Sequence, residues 1–274
     1  MSLIASAQIK PISYFSIVGE NHNKGLDKFF LDYSSARVKN ERLNIDGLNS
    51  YLSKQSIFSN QSSVMAVLSH PAYVNNRKTG LTELPSSLIR QRLISELCGS
   101  YISAIDKIID NDFEGSNLNI NLSTLENKIF NDVKLSETEK EILLSSTSVA
   151  KSSSGYWLEK LPTLSTQWTN SGGTAFIYDR SNRNETSEIE LNELDYFSAK
   201  TGIIQNENNE TDKASLELFY GCGKKIVKGD IAGAAGGAVA GSLVGGVGAV
   251  PGAFAGALSS SVYESVMCFL DWLF

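Results

Sequence analysis

Residues 229–258 read GDIAGAAGGAVAGSLVGGVGAVPGAFAGAL, and Asp230 is the one charged residue among them. From the start of the run glycine occupies every fourth position: Gly229, Gly233, Gly237, Gly241 and Gly245. Residues four apart share a helix face, so a helix over this run carries a groove without side chains. Two positions on, about 200° around the axis at ~100° per residue, Ile231, Ala235, Val239, Leu243 and Val247 make its only bulky ridge. After a shift of three the pattern restarts as Gly248, Gly252 and Gly256, followed by Ser260. Pro251 falls just past that shift, and VGAVPG is a stop-and-turn sequence. The prediction is an antiparallel hairpin with arms of roughly 17 and 23 residues and its bend at Pro251.

The cost of such a helix argues for a purpose. An interior glycine costs about 1 kcal/mol relative to alanine, so the nine glycines between 231 and 258 forgo on the order of 9 kcal/mol. Regular spacing kept despite that cost implies that a second backbone gains by close approach. The first arm has no polar face, so it must be enclosed by protein or by lipid. The second arm is more amphipathic, with Phe254, Leu258, Val262, Val266, Phe269 and Leu273 on its large face and Glu264 and Asp271 as interruptions. Length permits a bilayer span, which needs about 20 residues. Yet only eight residues of 231–258 are Leu, Ile, Val or Phe, and Glu264 follows, so insertion is energetically marginal. Two readings follow. In one the hairpin enters a membrane, flanked by Lys224, Lys225 and Lys228 at the headgroups. In the other it is buried in the protein's own core.

Outward from this run the chain reads as mainly α. ISYFSIV (12–18) is short, apolar and rich in β-branched and aromatic residues, which predicts a short N-terminal strand. Leu26, Phe29, Phe30 and Tyr33 then share a helical face, and a short helix is expected within 45–58. Pro85 precedes a predicted helix over 86–110, whose stripe is Ile89, Leu93, Leu97, Tyr101, Ile105 and Ile108. Ser123 with Glu126, and Ser136 with Glu139, are capping-box patterns for helices over 124–132 and 137–150. Leu125, Ile129 and Val133 supply the first stripe, and Ile142, Leu143 and Val149 the second. Residues 1–162 thus read as a helical domain. Residues 163–212 read as a polar acidic insertion, with a short strand at Ala175–Tyr178 and a short helix around Glu188–Ala199. Residues 213–274 form the hairpin region.

The bulk numbers narrow the function classes. With 274 residues, 42% hydrophobic and 20% charged, the chain can bury one sizeable core or two small ones. A net charge of −6 without clustered bases gives no reason to expect nucleic acid. The acidity is local: nine acids face four bases between Asp179 and Lys213. Cys98, Cys222 and Cys268 are odd in number and widely spaced, which predicts free, mostly buried thiols in a reducing compartment. The opening MSLIASAQIKPISYF has no basic region before an apolar core, so no signal peptide is expected and the location reads as cytoplasmic, with membrane association through the hairpin. Asn60, Asn121, Asn184 and Asn209 match the glycosylation sequon by chance in an Asn- and Ser-rich chain.

Little in the chain points to catalysis. Glu20, His22 and Asp27 in GENHNKGLD are one candidate cluster near a helix start. A capping arrangement in which Asn21 or Asn23 closes free helix N–H groups outweighs a catalytic one. YGCGKK has phosphate-loop glycines without the spacing or the following hydroxyl. Cys222 beside Lys224 and Lys225 could have a lowered thiol pKa, but packing is the plainer role. Trp157, Tyr156 and Trp168 read as core or interface aromatics. No catalytic residue, cofactor or metal is therefore expected, and an enzyme centred on His22 is the weakest of the readings.

Two resemblances add to this. The glycine run resembles the glycine-zipper hairpins of bacterial two-peptide bacteriocins and other membrane-active proteins, over about thirty residues. That likeness implies self-association, or association with a partner helix, in membranes. Together, IVGENHNKGLDKFF (17–30), LSSTSVAKSSSGYW (144–157) and KGDIAGAAGGAVAG (228–241) are similar to a group of uncharacterised bacterial proteins with a GxxHNxxLD-type opening, which implies a bacterial source and no mechanism. The resulting expectation is a non-enzymatic protein with a toxin-like or pore-forming hairpin. The alternative is a structural or interaction protein that keeps the hairpin in its core.

Overall fold

The computed structural model describes residues 10–38, 61–77, 79–170, 209–245 and 247–273. These form nine α-helices and, among the described residues, no strand: α1 (Ile12–Val38), α2 (Gln61–Ser69), α3 (Pro71–Arg77), α4 (Gly80–Arg90), α5 (Glu96–Asp112), α6 (Leu118–Asn131), α7 (Glu137–Asn170), α8 (Asn209–Leu243) and α9 (Ala249–Leu273). The mainly α bundle is as the periodicity predicts. The short helix expected within 45–58, the strand at 175–178 and the helix at 188–199 fall outside the described residues.

The predicted N-terminal strand is a helix instead. Phe15, Val18, His22, Leu26 and Phe29 are all buried, and their spacing of three and four continues through the apolar run into the helix beyond it. A short apolar run alone has no decisive period; its continuation decides. The helix predicted over 86–110 is two. It breaks at 91–95, where Arg92 adopts a left-handed φ of 58° and Ser95 starts α5 by accepting a hydrogen bond from Cys98 N at 3.1 Å. Pro85 lies inside α4 rather than ahead of it.

Of the two capping boxes, one forms. Ser136 N donates to Glu139 Oε2 at 3.0 Å and Glu139 N to Ser136 Oγ at 3.2 Å, fixing the start of α7. The other does not, because α6 already begins at Leu118, so Ser123 lies in its interior. Glu126 is buried there and pairs with Lys151 Nζ at 2.8 Å. Val133, expected on the buried stripe of α6, sits beyond its end and is 91% exposed. α7 runs on to Asn170, and α8 starts at Asn209, so both enter the 163–212 stretch predicted as polar insertion.

α8 is the axis of the bundle. α9 lies along it, α7 packs beside both, α2 to α5 cover α8 further, and α1 closes against α7 and α9. Residues 230–241 and 252–262 are buried without a break. These two stretches of the hairpin are therefore enclosed by protein. Its arms, at 35 and 25 residues, are longer than predicted, and its bend falls before Pro251, at 244–248, where Gly248 takes a φ of +85°. Pro251 occupies the first turn of α9, where its missing N–H costs nothing.

Small residues also make a second close contact in the wall around the hairpin. Gly19 of α1 lies on the serine-rich side of α7, its N–H donating to Ser148 Oγ at 3.1 Å, and a Cβ there would come within 2.8 Å of Ser152 Cβ. Trp157 of the same helix is fully buried.

Candidate functional site

The sequence singled out eight glycines, and the hairpin brings five of them face to face. A Cβ on Gly237 would lie 2.9 Å from Gly256 Cα, and one on Gly241 would lie 2.9 Å from Gly252 Cα. Reciprocally, a Cβ on Gly256 or Gly252 would meet the Gly237 or Gly241 backbone at 2.9 Å. Gly233 opposes Gly256 and Ser260, with 2.7 Å to Ser260 Cβ. Only hydrogen fits at these positions, and the backbones touch as Cα–H···O contact requires. The remaining three lie elsewhere. Gly229 faces the Glu264 side chain, Gly245 has open space, and Gly248 belongs to the turn, its N–H donating to Gly241 O at 3.0 Å.

At the far end of the hairpin Cys222 of α8 and Cys268 of α9 form a disulfide, with their Cα atoms 5.7 Å apart. This corrects the expectation of three free thiols; Cys98 alone is free, and buried. Antiparallel arms turning at 244–248 place residues equally far from the turn opposite one another, as with Gly237 and Gly252, and Cys222 and Cys268 obey the same register.

His22, Glu20 and Asp27 do not form a cluster. Consecutive helix residues are about 100° apart, so Glu20 and His22 point in nearly opposite directions. Glu20 is exposed. Asp27 is exposed too, accepting from Tyr156 Oη at 3.1 Å with Lys160 Nζ at 3.5 Å. His22 turns inward and is completely buried beside Asp230, the sole charge of the glycine run. Asn23 does not cap a helix end, since it lies within α1; it donates to Ser152 O at 2.9 Å. That bond turns the Asn23 amide oxygen to His22 Nδ1, 2.9 Å away, so Nδ1 carries a proton.

The other imidazole nitrogen, Nε2, is 3.1 Å from Ser261 Oγ and 3.5 Å from Asp230 Oδ2. The same carboxylate oxygen accepts from Trp157 Nε1 at 3.1 Å and from Ser153 Oγ. One buried cluster thus joins α1, α7, α8 and α9. Burial pushes the Asp230 carboxyl above its ordinary range, against the opposing pull of His22 and of hydrogen bonds from Ser153, Ser261 and Trp157. Ser261, His22 and Asp230 have the residue types of a nucleophilic triad but not its geometry. Hydroxyl and carboxylate both address Nε2, whereas a triad needs them on opposite ring nitrogens. All three side chains are also sealed from solvent. The arrangement can hold a proton and fasten helices, and it offers no substrate access.

The cluster was missed in the sequence, though a signal existed: one acid in an otherwise uncharged run needs a buried partner. The basic residues ahead of the run are engaged in the fold. Lys228 Nζ lies 2.8 Å from Asp106 Oδ1 and from Asp110 Oδ1, and Lys224 Nζ donates to Asp110 O at 2.7 Å. Burial works against the charges of Lys228 and Asp110, but their pairing prevails, raising the lysine pKa and lowering that of Asp110. Among the described residues no group of three or more His, Cys, Asp or Glu could hold a metal ion, and no helix is long and apolar enough to cross a membrane. No protein-family model, curated protein or solved structure matches this chain.

Proposed function

We propose that this chain is a non-enzymatic, toxin-like protein that carries a lipid-associating glycine hairpin wrapped inside its own helical bundle. The observation that supports this reading is the way the hairpin is joined. Its arms hold each other by backbone contact at Gly233, Gly237 and Gly241 and by the Cys222–Cys268 disulfide, while their bulky faces depend on the surrounding helices for cover. A unit built this way keeps its internal contact when the wrapper opens, and then presents apolar faces to lipid, to a partner helix or to a second copy. The association is interfacial, because the hairpin has few large apolar residues and retains Asp230 and Glu264. The full-length protein should float with phosphatidylcholine–phosphatidylglycerol vesicles and release an entrapped dye. Absence of both at micromolar protein overturns the reading.

One observation favours a second reading, in which the protein is structural or an interaction module and the hairpin never leaves. Asp230 is bonded to both α1 and α7, which ties α8 into the wall. In that case hairpin amides exchange hydrogen only through global unfolding. The first reading requires a lower-energy opening that exposes α8 and α9 together.

A further inference from the structure

We propose that the turn between α8 and α9 is the surface that first meets lipid, with Leu243, Val244 and Val247 entering the headgroup–acyl boundary. This deepens the lipid-associating reading above and rests on it. The hairpin is buried through 230–241 and 252–262, but its turn emerges from the bundle. Leu243 is 53% exposed, Ser242 and Gly245 are exposed, and Val244 and Val247 are half-buried. No charged residue occurs between Ile231 and Leu258, so the turn's own residues are uncharged, whereas the opposite end of the hairpin carries the lysine–aspartate pairs. The turn is also prepared to leave water. Val244 N donates to Ala240 O at 2.9 Å, Val247 N to Val244 O at 3.2 Å and Gly248 N to Gly241 O at 3.0 Å. These three bonds remove part of the penalty that bars irregular backbone from lipid.

Just behind the turn Gly241 and Gly252 are in backbone contact, which leaves no room between the arms for a side chain. An open groove lined in part by Leu243, Ser242, Ile89, Arg92, Glu96 and Glu139 runs beside the turn, so one cation and two anions flank the apolar end. Size decides between lipid and a protein partner. A stable protein interface buries about 800 Å² on each side. Three apolar side chains among glycines fall well short of that, whereas they suffice for shallow insertion at a bilayer surface.

The test uses the full-length protein with Gly245→Cys, a position with open space around it. Cys98 is buried and Cys222 and Cys268 are bonded to each other, so the new thiol takes an environment-sensitive fluorophore selectively. With phosphatidylcholine–phosphatidylglycerol vesicles its emission should brighten and shift to the blue. Leu243→Asp should weaken vesicle partitioning by about tenfold or more. Ile120→Asp, at an exposed apolar site on α6, should leave it unchanged. Vesicle-bound protein with an unshifted probe, or wild-type binding by Leu243→Asp, overturns the role of the turn and leaves the lipid reading intact. Failure of the wild-type chain and every variant to bind removes both.

Discussion

Asp230 titrates in a place where burial disfavours its charge, and the sign of the consequence can be worked out. A carboxyl whose folded pKa is raised contributes stability that is fully present below its unfolded value near 3.8 and is lost as pH rises through the folded value. Asp230→Asn removes that titration but keeps an oxygen for Ser153 and Trp157. Denaturation of both proteins from pH 4 to 8 should show the variant gaining on the wild type as pH rises; a constant difference would mean that Asp230 titrates alike in both states. Asp110 behaves oppositely. Its lowered pKa gives stability present above 3.8 and lost as pH falls below it. Its half-exposed position keeps that contribution small. Ser153→Ala tests the cluster without touching charge: it deprives a buried carboxylate of a donor and should cost about 1–3 kcal/mol in a chemical melt.

At the level of the helix, two glycine-to-alanine substitutions should move in opposite directions. Gly237→Ala forces a methyl against the backbone of α9, which has no flexible end to yield, so a loss of about 2–3 kcal/mol is expected. Gly155→Ala sits in α7 with no atom within 4 Å of the new methyl and should gain about 0.5–1 kcal/mol from helix propensity. Thermal melts of the pair separate close packing from mere glycine content; equal shifts would sink the packing argument. Reducing the disulfide should lower stability by up to roughly 4 kcal/mol, the loop-entropy value for its separation of 46 residues. The midpoint of denaturation with and without a dithiol reductant measures it. The hairpin was legible in the sequence because glycine at every fourth position bares one face of a helix, and a bare face is useful only to a backbone lying against it. The disulfide was not, although the register that sets Gly237 against Gly252 also sets Cys222 against Cys268. Odd cysteine number and wide spacing pointed elsewhere, and only the fold shows which two are neighbours.

For the molecule as a whole, the bundle was legible where periodic stripes were long and was missed where local cues competed. ISYFSIV has β-favouring residues yet lies in a helix because Phe15 and Val18 continue the stripe of Leu26 and Phe29. The turn at Arg92 left no glycine or proline marker. Glu20, His22 and Asp27 were grouped by proximity in sequence, while helix geometry sends His22 alone to the core. Ser148, Ser153 and Ser154 of α7 are buried where helices approach closely, and no periodic apolar cue marks them. The disulfide has one more effect, on cleavage. Cys222 and Cys268 close a covalent ring that contains the turn and most of both arms. A protease that cuts once anywhere inside this ring leaves two pieces still linked, which migrate as one mass until a reductant parts them. Damage at the exposed turn would therefore leave the two arms tethered rather than shed either one.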